Sequence, residues 1–183
     1  MMSGKLDFRH TAPWLLLALG SLPAGGGTGT ATETLSATLS PVGSLTTPAT
    51  AALSSGSTTF QPFTGSVAVS YEVRTTPTGT GGTITLKVAS DFSPSGGPTA
   101  ASGALTYVCS SANLGTACSG AQTASTTTST PVLTVPASAC TGGGGVCSSQ
   151  NPNSMSLTFT LVDSPVYSTG TYSANVTLTI SAT

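Results

Sequence analysis

Apolar and hydroxyl residues alternate along most of this chain, which is the period of a strand with one buried face and not that of a helix. Met155-Ser156-Leu157-Thr158-Phe159-Thr160-Leu161 keeps the alternation without a break. The carboxyl-terminal stretch is as regular: Tyr172, Ala174, Val176, Leu178 and Ile180 form one row, and Ser173, Asn175, Thr177 and Thr179 form the other. The apolar row is expected to lie inward, buried between two sheets. Val67, Val69, Tyr71 and Val73 make a further inward row. After Thr76-Pro77-Thr78-Gly79 and Gly81-Gly82 come Ile84, Leu86 and Val88, and these two rows read as a hairpin. Thr34 to Leu39, Ala104 to Cys109 and Pro131 to Val135 complete seven expected strands.

Turn chemistry separates them: Pro94-Ser95-Gly96-Gly97-Pro98, the run Thr123 to Thr130, and Gly142-Gly143-Gly144-Gly145. No segment has helical periodicity and no internal repeat is visible. The pattern predicts an all-β protein, an immunoglobulin-like two-sheet antiparallel β-sandwich of about seven strands.

The amino terminus breaks this pattern. Lys5, Arg9 and His10 precede a short apolar run from Ala12 to Leu19, and small residues follow. That order is a secretory signal peptide, assigned to residues 1–27 with cleavage between Ala24 and Ala31. The run falls short of the ~20 residues a membrane span needs, and no later segment is continuously apolar. The remaining 28–183, about 155 residues, is the size of one sandwich domain. The expected location is extracellular or at the cell surface, with passage through the periplasm if the host has one.

Charge narrows the partners. Only 5% of the residues are charged and the formal net charge is −1. Behind the leader the cations are Arg74 and Lys87, too few to hold nucleic acid or an anionic membrane. Freely diffusing domains usually carry far more charge, so a surface this neutral is expected to meet other copies of itself, other cell-surface proteins, or glycan.

Cys109, Cys118, Cys140 and Cys147 form an even set in an exported chain, and three pairings are possible. Cys109 with Cys118 and Cys140 with Cys147 are expected, because each pair encloses a short stretch rich in Gly, Ser and Ala. Neither pair has CxxC spacing and no histidine follows His10, which argues against metal. Loops this small contribute about 2 to 3 kcal/mol each, so the bridges read as loop clamps.

Few residues are left for chemistry. The acids behind the leader are Glu33, Glu72, Asp91 and Asp163, and no imidazole is available to take a proton from a serine, threonine or cysteine. Lys87 alternates outward, away from the apolar row of Ile84, Leu86 and Val88, and is expected to sit in solvent and not to serve a serine as its base. Glu72 is expected to face Lys87 across the hairpin, and Asp91 and Asp163 to accept hydrogen bonds from turn backbone. No DxD pattern suggests calcium. The expectation is a non-enzyme with no cofactor, no metal and no catalytic residue.

A carbohydrate-binding sandwich is the alternative, since it needs little more than an aromatic platform. Trp14 lies in the leader, which leaves Tyr167, Phe92, Phe60 and Phe63. Phe60-Gln61-Pro62-Phe63 reads more simply as a lid over one end of the sandwich, and Tyr167 as a corner residue. Asn175-Val176-Thr177 matches the acceptor pattern for N-glycosylation.

The segment Gly170-Thr171-Tyr172-Ser173-Ala174-Asn175-Val176-Thr177-Leu178-Thr179-Ile180 resembles the closing strand of secreted pilin-type sandwich domains, most nearly the spore-coat-protein-U-like subunits of chaperone-usher fimbriae. The resemblance implies an immunoglobulin-like subunit joined to its neighbours by donated strands. Leu35, Ala37 and Leu39 could serve as alternating anchors of such a strand, although Thr34 to Leu39 reads first as the opening strand of the domain itself. The expected function is a non-enzymatic structural or adhesive protein of the cell surface, possible as a subunit of a filament or coat.

Overall fold

The computed structural model describes residues 33–38, 40–56, 59–76, 79–137 and 152–183. The chain divides into two units, Met1–Ala37 and Thr38–Thr183. Of the first, residues 33–37 are described; they are exposed and form neither helix nor strand, with Leu35 89% exposed. The strand expected over Thr34 to Leu39 is therefore not formed in its described part, and Leu39 itself lies outside the described residues. Thr34, Ser36 and Thr38 alternate there with only Leu35 and Ala37, too little apolar surface to hold an edge in place.

The second unit contains strands β1 (Val42–Thr46), β2 (Phe63–Arg74), β3 (Gly82–Ser93), β4 (Leu105–Ser110), β5 (Thr116–Ala117), β6 (Ala121–Thr123), β7 (Thr130–Val135), β8 (Asn153–Leu161) and β9 (Ser173–Ala182), with one 3-10 turn at Ala100–Ser102. They form the expected two-sheet antiparallel sandwich. One sheet has the order β1-β2-β8-β4-β6 and the other β5-β7-β3-β9. The alternating apolar rows do become the core. Val69, Tyr71 and Val73 of β2, Ile84, Leu86 and Val88 of β3, Tyr107 of β4, Val132 and Val135 of β7, and Met155 and Leu157 of β8 are all buried.

The hairpin expected from Val67–Val73 and Ile84–Val88 is absent. β2 lies in the five-stranded sheet and β3 in the four-stranded one. Two alternating rows look the same in sequence whether their strands pair side by side or face each other across a core, and here they face. Glycine makes the crossing possible: a Cβ on Gly82 would lie 2.7 Å from Val73 Cγ2, and one on Gly81, at φ +98°, would lie 2.1 Å from the Val135 carbonyl oxygen. The expected Glu72–Lys87 pair goes with the hairpin. Glu72 stands opposite Ser44 in β1, and Lys87 opposite Thr177 in β9.

The terminal strand also departs from expectation. Ala174, Leu178 and Ile180 are half-buried and Val176 is 38% exposed. β9 is the last strand of its sheet, so its inward row is covered from across the sandwich and on one flank only. The covering element is β1, where Gly43 leaves room for Ile180; a Cβ there would lie 3.1 Å from Ile180 Cγ1 and Cγ2.

Candidate functional site

The outward-facing positions of both sheets carry hydroxyl groups in register. Across the four-stranded sheet, Thr116 of β5 stands opposite Thr134 of β7, Thr134 opposite Thr83 of β3, and Thr83 opposite Ser181 of β9. Across the five-stranded sheet, Thr64 of β2, Thr160 of β8, Thr106 of β4 and Thr123 of β6 form a matching row. In the next row Ser66 Oγ and Thr158 Oγ1 are hydrogen-bonded at 2.9 Å. Neighbouring strands lie about 4.8 Å apart, so each row is a ladder of short polar side chains at that spacing. Glu72 and Arg74 near the end of β2 and Lys87 in β3 are the ionisable side chains that interrupt these faces, Lys87 exposed as expected. A shallow open depression beside β1 is lined by Glu72 with Ser44, Thr46 and Ser70.

Asp91 and Asp163 are spoken for by turns. Asp91 Oδ1 accepts from the backbone N–H of Phe92 at 2.8 Å and of Ala100 at 2.7 Å, and Oδ2 accepts from Ala101 at 3.2 Å. Burial works to raise its pKa, but the bonds from Ala100, Phe92, Ala101 and the Thr99 side chain outweigh it and hold the carboxyl below its ordinary value. Asp163 Oδ1 accepts from Ser164 N–H at 2.8 Å. Both aspartates thus play the turn role read from the sequence. Among the described residues no three His, Cys, Asp or Glu side chains gather where they could hold a metal ion, and no helix is long and apolar enough to cross a membrane.

Cys109 and Cys118 form a disulfide, as the spacing predicts. It does more than clamp a loop. Cys109 is buried in β4 of the five-stranded sheet, and Cys118 follows β5 of the four-stranded sheet, its N–H donating to Val132 O of β7 at 2.9 Å. The bridge therefore joins the two sheets. The pairing expected for Cys140 and Cys147 lies outside the described residues.

Two buried tyrosines tie the layers as well. Tyr71 of β2 donates to the Leu114 carbonyl ahead of β5. Tyr107 of β4 places its hydroxyl 2.7 Å from Thr130 Oγ1 and 2.8 Å from the Pro131 carbonyl of β7, while Thr130 Oγ1 donates to Leu86 O of β3 at 3.1 Å. Burial raises both phenol pKa values, opposed in Tyr71 by the bond to Leu114 and in Tyr107 by the bond to Thr130.

Of the candidate platform aromatics, Phe63 and Phe92 pack against the core, Tyr167 is half-buried, and Phe60 is 55% exposed at φ +41°. The corner residue is Tyr172 and not Tyr167. Its hydroxyl donates to Ser168 O, four residues upstream, at 2.7 Å, and its ring occupies the space a Cβ on Gly97 would need, 2.3 Å from Cε1. Tyr172 consequently stands outside the inward row to which alternation assigned it. The Gly170-Thr171-Tyr172 turn was the signal for this.

Neither a family model nor a curated protein matches the chain. The surface itself has to carry any functional reading.

Proposed function

We propose that the chain is a non-enzymatic structural or adhesive component of the cell surface, exported behind the leader at 1–27 and working by contact with copies of itself or with other surface proteins. One observation carries this reading: both outer faces present in-register rows of threonine and serine with almost no charge, the rows Thr116–Thr134–Thr83–Ser181 and Thr64–Thr160–Thr106–Thr123 among them. A hydroxyl face hydrogen-bonds readily to a neighbour's backbone or to sugar, and its desolvation costs far less than that of an ionic face. The inter-sheet disulfide fits an oxidising compartment. Sugar binding through an aromatic platform has less support, because Phe63 and Phe92 are committed to packing on the core.

The test is the location of the chain in the cells that make it. Immunogold labelling and protease treatment of intact cells are expected to reach the chain at the surface, and fractionation to recover it with cell-bound material. Recovery from the cytosol with reduced thiols, or wholly as free protein in the medium, would overturn the reading.

A further inference from the structure

We propose that two copies of this chain join through β9, pairing antiparallel about a two-fold axis at Thr179 so that their four-stranded sheets become one continuous sheet. The proposal rests on the contact role argued above and names its partner and register.

The free side of β9 can be read from the ladder on its other side. β9 pairs with β3 in the register Gly82↔Ala182, Thr83↔Ser181, Ile84↔Ile180, Thr85↔Thr179, Leu86↔Leu178, Lys87↔Thr177 and Val88↔Val176. Continuing it sets Gly81 opposite Thr183, and Thr183 N–H does donate to Gly81 O at 3.0 Å. In an antiparallel ladder, hydrogen-bonded and non-hydrogen-bonded pairs alternate. Ser181, Thr179 and Thr177 therefore direct their N–H and C=O groups to β3, while Ala182, Ile180, Leu178 and Val176 direct theirs away from it. An independent bond agrees: Val88 N–H donates to Ser125 O at 2.9 Å, away from its β9 partner Val176. Among the described residues β3 is the one ladder partner of β9.

Exposed sheet edges are usually blunted by shortness, proline, charge or a bulge, because an open edge recruits other chains. The other edge strands here are short: β1 has five residues, β5 two and β6 three. β9 has ten, with neither proline nor charge among them. Its register shifts come from extra residues in β3, between Val88 and Ser90 and between Ser90 and Ser93, so Val176 to Ala182 runs without interruption. The same stretch carries the half-exposed apolar row that its own fold leaves incompletely covered.

A second copy fits this edge. The two-fold axis at Thr179 sets Leu178 opposite Ile180 and Val176 opposite Ala182 in hydrogen-bonded pairs, using every outward-directed backbone group from Val176 to Ala182. It brings Leu178 and Ile180 together over the inward side. On the outer side Thr179 meets its symmetry mate and Thr177 meets Ser181, so the hydroxyl rows continue across the junction. Self-pairing always opposes like residues, and here none is charged. Lys87, on the neighbouring strand, stands opposite Thr177, and its symmetry mate is three strands away, about 14 Å, and offset along the strands as well. At physiological salt that distance exceeds the screening length.

The test uses the full exported, disulfide-bonded chain and two substitutions at the exposed Thr179. Sedimentation equilibrium at about 100 μM, enough to load a micromolar interface, is expected to find a dimer. Thr179→Lys and Thr179→Glu should each weaken it at least about tenfold by opposing like charges at the axis, with circular dichroism unchanged and the melting temperature unchanged in dilute solution, where the parent is monomeric. An equimolar mixture of the two variants should pair again. A monomeric wild-type chain, a dimer indifferent to both variants, or failure of the mixture to pair would overturn the proposal, as would a dimer lost on removal of residues 28–38 and not on charging Thr179. None of these results bears on where the chain resides in the cell, so the contact role and this interface fail separately.

Discussion

The hydroxyl of Tyr107 in β4 lies 2.7 Å from Thr130 Oγ1 in β7, and Thr130 passes the connection on to Leu86 O in β3. A hydrogen-bonded path thus runs from one sheet into the middle of the other through a largely apolar core. Replacing Tyr107 with Phe should cost about 1 to 2 kcal/mol, read from urea unfolding at neutral pH. Because burial raises the Tyr107 pKa above its unfolded value, the associated stability is complete below that unfolded value, about 10, and is lost as pH rises through the folded one. The variant should accordingly lose less stability between neutral and strongly alkaline pH than the parent. The alkaline loss that remains belongs in part to Tyr71.

Asp91 gives the opposite sign. Its folded pKa is depressed, so its contribution is present above the unfolded carboxylate value and is lost as pH falls through the folded one. Asp91→Asn should flatten the acid limb of a melting temperature against pH curve. The stretch released first should be the Ala100–Ser102 turn, whose backbone donors the carboxylate holds, and hydrogen exchange at Ala100 and Ala101 should quicken at neutral pH. An unchanged acid limb would contradict this.

Replacing both Cys109 and Cys118 with Ala should lower stability by about 2 to 4 kcal/mol, and reduction of the parent should approach the same value. Since the bridge joins the sheets, the loss should appear as global unfolding and not as a local loop opening. Non-reducing peptide mapping should recover Cys109 with Cys118, and Cys140 with Cys147 in a separate fragment. A scrambled Cys109–Cys140 bridge in the native protein would be incompatible with the bond described here.

Leu157 is fully buried in the central strand β8, with 0% exposure, whereas Leu178 on β9 is half-buried. Leu157→Ala should cost about 2 to 5 kcal/mol. Leu178→Ala should cost about half as much in the monomer, because less apolar surface leaves water there. Equal losses in dilute solution would mean that the edge is covered by something other than solvent.

Strand faces were legible in the sequence because alternation is a local property, enforced by burial wherever it occurs. Val69, Tyr71 and Val73, or Met155 and Leu157, announce their orientation before any partner is known. Partner choice was not legible, and the β2–β3 hairpin is the clearest instance. Nothing in Val67–Val73 or Ile84–Val88 records whether Val73 will lie beside its neighbour or above it, and the Gly81-Gly82 turn serves either path. The half-burial of β9 is likewise a property of its place at the edge, which alternation cannot register. The short strands β5 and β6 carry too few residues for any period. Among surface features, the hydroxyl residues could be counted in advance, but their alignment into rows depends on register between strands distant in sequence. The Cys109–Cys118 pairing followed from spacing, while its role between sheets needed the topology.

The placement of β8 has a consequence for how the chain can be made. It is the central strand of its sheet, hydrogen-bonded to both β2 and β4, yet it comes after both in the chain; Ser66 of β2 and Thr158 of β8, hydrogen-bonded to each other, are 92 residues apart in sequence. β3 waits likewise for β9. A chain that has reached only residue 150 holds β2 and β4 without the strand that joins them, and β3 with one flank bare, so the five-stranded sheet cannot close on local contacts. Closure of that sheet is therefore deferred until β8 has been made. The strand order alone thus makes closure of the five-stranded sheet a long-range step and places the commitment to fold in the segment that begins with β8.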